Sequence, residues 1–474
     1  MTYALIRPHT HTPRHAYDFP SLVTRMKGKT MKVDLIPQGC RRHIRRSSLT
    51  PNLSQADSCI RSSTGTFTGS ASRALVTAAA FLLSAALLLA LPGCKSSENT
   101  EPASPASPTP GTSTSAPVPT SDTIPIGEFC SFTGDTATWG TAVDNGVKLA
   151  ISHANAAGGV LGKKLDLISK DDASNQEQAS TAVDALLGQN VVAVLGEVAS
   201  TRSLRGAPLC QAKQIPMISP ASTNPAVTKV GDYIFRVCFV DEFQGKMIAA
   251  IGKDILHAKT AAVIFDNSQD YSKGLKDFIE SGFKAGGGSI VGERSYGSTD
   301  NDFKGQLTSI QGSNPDVIFV PGYYKQVAQI ARQARELGIN TPLVGGDGWD
   351  SPELTKIAGS ALDNCYFTDH FAPTDPNPVV QGFVKDYKAA YGGMDPDAMA
   401  ALGYDAAGVV VDAIKRAKST DGPALRNAIA ATKDYPGVTG SITIGPDRNA
   451  VKPIVIIKIV NGKFTFFKRF STPS

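Results

Sequence analysis

An α/β fold of two lobes is what this 474-residue sequence predicts, and three observations carry the prediction. Short β-branched runs alternate with helix-period stretches from Ile124 to Gly345, the pattern of a mainly parallel sheet with helices on both faces. The alternation restarts after Phe243, which gives two consecutive blocks, each long enough for a lobe. No long linker separates the blocks, so they read as lobes joined by a hinge and not as independent domains.

The first block opens with a strand at Ile124–Phe129 and a helix from about Thr141, with Val143, Val147, Ala150, Ile151 and Ala154 at helical spacing. Strand Leu165–Ser169 and helix Gln176–Leu187 follow. Asp171 and Asp172, at the strand end, are expected to cap that helix. Then come two similar units in a row, Val191–Leu195 and Ile215–Ile218, separated by a helix over Arg202–Lys213. Continuous apolar runs of this length suit parallel strands buried on both faces. Each ends in small hydroxyl residues: Ala199-Ser200-Thr201, then Ala221-Ser222-Thr223. Ligands of such sheets sit outside the carboxyl ends of strands, where hydroxyls and free N–H groups suit a carboxylate. A short strand at Tyr233–Val237 ends the block.

The second block reads as helix Gln244–Leu256, strand Ala261–Phe265, helix Tyr271–Ala285, strand Ile290–Glu293, helix Asp302–Ile310, strand Val317–Val320, helix Lys325–Leu337 and strand Pro342–Gly345. Pro378–Lys433 is mostly helical. Strand-like runs at Ser441–Ile444, Pro453–Ile459 and Lys463–Phe467 close the chain. Asp347 is the only acidic residue inside a Gly-rich turn after a second-block strand; nearby Asp350 is expected to be a surface charge. Trp139, Tyr271 and Tyr323 fall in or beside loops, which favours a site over a core role.

Charge is unevenly placed. Residues 1–93 carry 12 Lys and Arg against 3 Asp and Glu, so the rest of a chain that is +5 overall stands at −4. A mildly acidic body gives no nucleic-acid surface. Residues 1–70 show no sustained periodicity. After Arg73 comes a 17-residue apolar run, Ala74–Ala90, then Leu91-Pro92-Gly93-Cys94. The run is short for a spanning helix and suits a secretory signal; its end resembles a bacterial lipobox with Cys94 as the lipidated residue. A signal this far in places the true start downstream of Met1, at Met26, Met31 or a non-Met codon. Of the 27 residues Lys95–Ser121, 18 are Pro, Ser or Thr, the composition of an extended tether.

Catalytic signatures are missing: no G-x-S-x-G elbow, no P-loop, and a Gly286–Gly292 stretch that precedes a strand where a dinucleotide loop would precede a helix. His153, His257 and His370 lack metal-ligand spacing and read as surface histidines. Neither a metal nor a cofactor is expected. Cys130, Cys210, Cys238 and Cys365 allow three complete pairings; Cys210–Cys238 is the favoured pair and free buried thiols are the alternative.

The stretches TGDTATWGTAVDNGVKLA, HANAAGGVLGKKLDLISKDD, LGEVASTRS, IPMISPASTNP, IFRVCFVDEFQG, QDYSKG, FVPGYYKQVAQIARQARELGI and GGDGWD run in order through the body. With them, the chain from about Ile124 onward resembles the leucine/isoleucine/valine-binding proteins, the amino-acid receptors of ABC importers with a type I periplasmic binding protein fold. The resemblance implies two Rossmann-like lobes joined by three chain crossings, near Cys238–Phe243, Tyr366–Phe371 and Gly437–Thr443. Lobe 1 then takes residues 122–242 and 369–437, and lobe 2 takes 243–368 and 438–474, after a presequence of 1–93 and a lipidated tether of 94–121. It also implies that Ser200, Ala221, Ser222 and Thr223 hold an α-carboxylate, that Thr223 shares the α-ammonium, and that Asp347 is the acidic ammonium partner. Tyr271 and Tyr323 match aromatic positions of the second lobe, and Trp139 stands where a Tyr is common on the first.

The expectation is therefore a non-catalytic, exported, lipid-anchored receptor, monomeric, at the periplasm or cell surface. It would pass an amino acid, branched-chain or related, to membrane permease subunits. The alternatives are a receptor of the same fold for amides, urea or aromatic acids, or an amino-acid sensor. An exported hydrolase is the reading from a different class, and the missing nucleophile–base pair argues against it.

Overall fold

The computed structural model describes residues 122–471. The presequence, Cys94 and the tether lie outside them. One sheet holds β1 (Thr123–Cys130), β2 (Lys164–Asp171), β3 (Val194–Leu195), β4 (Met217–Ser219) and β5 (Ile234–Arg236) in the order β2-β1-β3-β4-β5, all parallel. Helices α1 (Ala137–Ala156), α2 (Gln176–Leu187), α3 (Ser200–Lys213) and α4 (Ala226–Lys229) connect them. Strands β3, β4 and β5 are buried throughout, as suits a parallel sheet covered on both faces, whereas edge strand β2 is partly exposed.

The second sheet holds β6 (Thr260–Asp266), β7 (Ser289–Tyr296), β8 (Val317–Phe319), β9 (Leu343–Gly345), β10 (Tyr366–Asp369), β14 (Ile454–Val460) and β15 (Lys463–Phe470), in the order β15-β14-β10-β9-β8-β6-β7. Its first five strands are parallel; β14 and β15 add an antiparallel edge. Helices α5 (Asp241–Ala250), α6 (Asp270–Ala285), α7 (Lys304–Gln311), α8 (Tyr324–Glu336) and α9 (Pro352–Ala358) belong to this stretch. The remaining helices are α10 (Pro378–Ala390), α11 (Ala398–Ala417) and α12 (Gly422–Ala430), followed by a small antiparallel sheet of β11 (Tyr435–Gly437), β12 (Gly440–Ile444) and β13 (Ala450–Val451).

The late helices return to the first lobe. Helix α11 packs along α1, and glycines set the approach: a Cβ on Gly146 would stand 2.0 Å from the Ala400 carbonyl oxygen, and one on Gly403 would stand 2.5 Å from that of Val143. Val143, Val147, Val410 and Ile414 are buried in this contact region, each apolar burial worth about 1.5–3 kcal/mol.

The strands narrow two of the expected crossings. Residues Tyr366–Asp369 form β10 inside the second sheet, so the middle crossing starts at His370. The loop between β12 and β13 reaches the first sheet's edge, where Arg236 N donates to Arg448 O at 3.3 Å and Arg448 Nη2 donates to Thr228 O at 2.9 Å. The chain thus still touches the first sheet at Arg448, beyond the Gly437–Thr443 expected for the third crossing.

Other expectations also change. Cys130, Cys210, Cys238 and Cys365 are all free and buried. Cys210 sits with Phe129 and Val183 in one core cluster and Cys238 with Trp139 and Phe235 in another, so the favoured pair is not formed. Burial pushes both thiols up to about 12. Helix α2 is capped by Asn175, whose Oδ1 accepts from Glu177 N at 2.9 Å and Gln178 N at 3.0 Å. Asp171 and Asp172 instead tie down the loop after β1, accepting from Phe132 N and Ser131 Oγ.

Candidate functional site

Two loops at the carboxyl ends of β3 and β4 are locked together by their own hydroxyls. Ser222 Oγ donates to the Glu197 or Val198 carbonyl, at 2.9 and 3.0 Å, and stands 2.7 Å from Ser203 Oγ. Ser219 Oγ donates to Glu197 O at 2.7 Å and accepts from Ser222 N at 2.8 Å. Ser222, expected to face a ligand, is thus turned inward as a clamp. Ser200 starts α3, and its Oγ accepts from Asn224 N at 3.2 Å, which leaves its own hydroxyl proton to donate. Thr223 Oγ1 is buried beside Asp241 without a well-formed hydrogen bond.

Beneath the first loop lies a buried ion group. Arg202 Nε is 3.1 Å from Glu197 Oε2 and 3.6 Å from Asp172 Oδ2, and Nη2 donates to Thr136 Oγ1 at 2.8 Å. Burial pushes the Glu197 carboxyl up to about 7 while Arg202 pulls it back. The group rigidifies the loop that presents Val198 to Ser200.

Across from these loops, β9 ends in Gly345-Gly346 and a tight turn at Asp347–Trp349. A Cβ on Gly346 would stand 2.6 Å from the Tyr271 hydroxyl, so only glycine lets the turn come this close. Asp347 is 3 % exposed. Its Oδ1 accepts from Gln244 Nε2 at 2.7 Å and from Tyr271 OH at 2.9 Å; its Oδ2 lies 3.1 Å from His370 Nε2. A carboxylate has about four acceptor positions, so one remains for a ligand donor. Tyr271 stacks on Tyr323 at 5.3 Å, and the Trp139 ring meets Tyr323 edge-on at 4.9 Å.

Trp139, Ala221, Tyr271, Tyr323 and Asp347 line one cavity together with Val198, Gly348 and Met399. Ser200, Ser222 and Thr223 do not line it. The cavity is only about 10 Å³, about the room of one water. The lobes touch across it: Trp139 Nε1 donates to Asp350 O at 2.6 Å, Tyr324 OH to Asp135 O at 2.7 Å and Asn224 Nδ2 to Asp270 O at 2.7 Å. This is a closed arrangement.

Sequence reasoning missed Val198, Gly348, Met399, Gln244 and His370. Gln244 stands in IFRVCFVDEFQG, a stretch that signalled the family without signalling this role. His370 is not a surface residue: it is 1 % exposed and stacked on Phe239 at 3.7 Å, and burial holds its imidazole down to about 4. His153 and His257 are exposed as expected. Asp350 is not a surface charge either, being 3 % exposed with Oδ2 accepting from Ala398 N at 2.7 Å. Among the described residues no cluster of His, Cys, Asp or Glu could hold a metal.

Residues 123–463 match the family described as periplasmic binding protein. The leucine-specific-binding protein of Salmonella typhimurium is 31 % identical over 271 residues, 56 % of this chain and 72 % of that one. The Leu/Ile/Val-binding protein of Rhizobium johnstonii is 29 % identical, over 68 % of this chain and 87 % of that one. Among solved structures, a leucine-binding protein from Thermotoga maritima is 38 % identical with a TM-score of 0.71, covering 73 % of this chain and 99 % of its own. A branched-chain amino acid transporter substrate-binding protein from Streptococcus pneumoniae, in complex with isoleucine, is 35 % identical with a TM-score of 0.69, covering 72 % and 97 %. A solute-binding protein from Rhodopseudomonas palustris, in complex with 3,4-dihydroxybenzoic acid, is 27 % identical with a TM-score of 0.66, covering 74 % and 98 %.

Proposed function

Because the chain belongs to the periplasmic binding protein family, we propose that it is the extracytoplasmic substrate-binding lipoprotein of an ABC importer and takes an amino acid, branched-chain or related, between its lobes. The observation that carries the reading is Asp347: a buried carboxylate held by Gln244, Tyr271 and His370 at the wall of the interlobe cavity, which Val198 and Ala221 of the two hydroxyl loops also line. A zwitterion needs an acceptor for its ammonium and donors for its carboxylate, both cut off from water on closure. Ser200 and Thr223 are the hydroxyls proposed for the carboxylate, with Ala221 supplying backbone. Trp139, Tyr271 and Tyr323 would face the side chain. A cavity the size of one water must open to admit any amino acid, so binding runs through lobe opening and closure.

The proposed role is delivery without turnover, to permease subunits in the membrane. The lipobox-like Leu91–Cys94 and the Pro/Ser/Thr-rich tether support anchoring through a lipidated Cys94. The three aromatic rings around the cavity favour one second reading, an aromatic acid, as in the Rhodopseudomonas palustris relative. An acid without an ammonium has no use for Asp347. A thermal-shift screen of the twenty amino acids and of substituted benzoates separates the two. Stabilisation by an aliphatic amino acid alone supports the first reading; stabilisation by a benzoate alone overturns it.

A further inference from the structure

A second cavity among the described residues is far larger than the one at Asp347. It is a groove of about 650 Å³ beside the smaller space, walled by the first turns of α1, the start of α9, the middle crossing, the loop before α11, and β14–β15. This volume lies in the range of small-molecule sites. None of the eight residues expected to bind the cleft ligand lines it. The Trp139 indole stands between the two spaces: its ring borders the small cavity, while Asp350, whose carbonyl it bonds, borders the groove.

The lining combines apolar surface with buried carboxyl groups. Phe371, Phe464 and Phe466 supply much of the apolar wall. Asp350, Asp369 and Asp397 also line it. Asp350 and Asp369 are 3 % and 2 % exposed. Each gives one oxygen to a backbone N–H, Asp350 Oδ2 to Ala398 and Asp369 Oδ1 to His370, and the other oxygen of each has no donor among the described residues. None of the three is in a salt bridge there. The cations nearby are engaged elsewhere: Lys356 pairs with Glu353 at 2.7 Å, and Lys452 donates to Thr439 Oγ1.

We propose that this groove is a second ligand site and that it takes a small amphiphilic cation, an ammonium on an apolar body. The apolar body covers the phenylalanine wall, worth about 25 cal/mol per Å² removed from water. The ammonium brings three donors to carboxyl oxygens that lack them. Burial, with the charge of Asp397 beside Asp350 and of Asp350 beside Asp369, holds Asp350 and Asp369 well above the usual carboxylate range. A bound cation reverses that, so binding near neutral pH releases protons. Because both lobes and a crossing line the groove, an occupant there bears on the closed state as well.

The test is calorimetric titration of the full chain with 2-phenylethylamine and with its neutral counterpart 2-phenylethanol, in two buffers of different ionisation enthalpy. The amine is expected to bind at least about tenfold more tightly than the alcohol, with heats that differ between buffers. Asp369→Asn is expected to weaken the amine at least about tenfold. Thr141 lines the groove from an exposed position on α1, so Thr141→Trp fills the space without entering the core and is expected to abolish binding. Amine binding is expected to persist in Asp347→Asn. Equal affinity for amine and alcohol overturns the proposal, as does binding that survives Thr141→Trp or vanishes in Asp347→Asn.

Discussion

The Nε2 atom of His370 lies 3.1 Å from Oδ2 of Asp347, which joins the middle crossing of the hinge to the acidic group of the cleft. The same imidazole stacks on Phe239, between β5 and α5, so two crossings meet on one ring. With its imidazole held down to about 4 by burial, His370 is neutral at neutral pH. The proton is assigned to Nε2, because the carboxylate it faces can only accept. One imidazole thus contacts the Asp347 carboxylate and the segment between β5 and α5 together.

Asp347→Asn keeps the shape of the turn and removes its charge. Affinity for the amino acid that the thermal-shift screen selects should fall by roughly 2–5 kcal/mol, the range for breaking a buried charge pair. Calorimetric titration of both proteins checks it. Near-equal affinities would remove the case for an α-amino acid over a neutral amide.

His370→Asn should change the acid limb of stability. A histidine whose folded value sits at about 4, below its free value of 6.5, favours the folded state fully above pH 6.5 and loses that contribution as pH falls towards 4. The contribution is at most about 3 kcal/mol. Glu197, pushed up to about 7 by burial, and Asp397, pushed up to about 6, act in the opposite sense and remain in both proteins. Denaturant midpoints measured from pH 7 to pH 4 should therefore fall less steeply in the variant than in wild type. Parallel slopes would mean that His370 titrates near its free value.

Closure should be visible in solution. The contacts Trp139–Asp350, Asp135–Tyr324 and Asn224–Asp270 bridge the lobes and must part for a ligand to enter. X-ray scattering should give a smaller radius of gyration with saturating ligand than without it. An unchanged radius with a proven ligand would count against hinge motion.

Cys94→Ala should leave the body folded and soluble in the absence of membranes, and the protein should lose its acyl chains by mass spectrometry. A variant still acylated would exclude Cys94 as the anchor.

Much of this architecture was readable from residue pattern, for reasons visible in particular elements. Helix α2 spans Gln176–Leu187 as expected, because its apolar period and the turn before it agree. Strand β3 is shorter than Val191–Leu195, since Val192 N bonds only to Pro125 O while the ladder begins at Val194. A four-residue strand such as β10 has no length signal of its own, so residue pattern does not separate it from the chain that follows. At the site, pattern located the two hydroxyl loops and the Asp347 turn. It could not show that Ser222 points at Glu197 and Val198 carbonyls, which depends on how two loops meet. His370 is 23 residues from Asp347 in sequence, and no local period connects them.

The packing of α11 on α1 also sets the order in which the chain can fold as it is made. Until residues 398–417 emerge, the α1 face that carries the close-approach glycine Gly146 lacks its α11 partner. Every strand of the second lobe up to β10 is synthesised in that interval. The first lobe is thus incomplete until more than four-fifths of the polypeptide has left the ribosome. A nascent chain so delayed stays threadable through a narrow pore for most of its synthesis, the state that passage across a membrane ahead of folding demands.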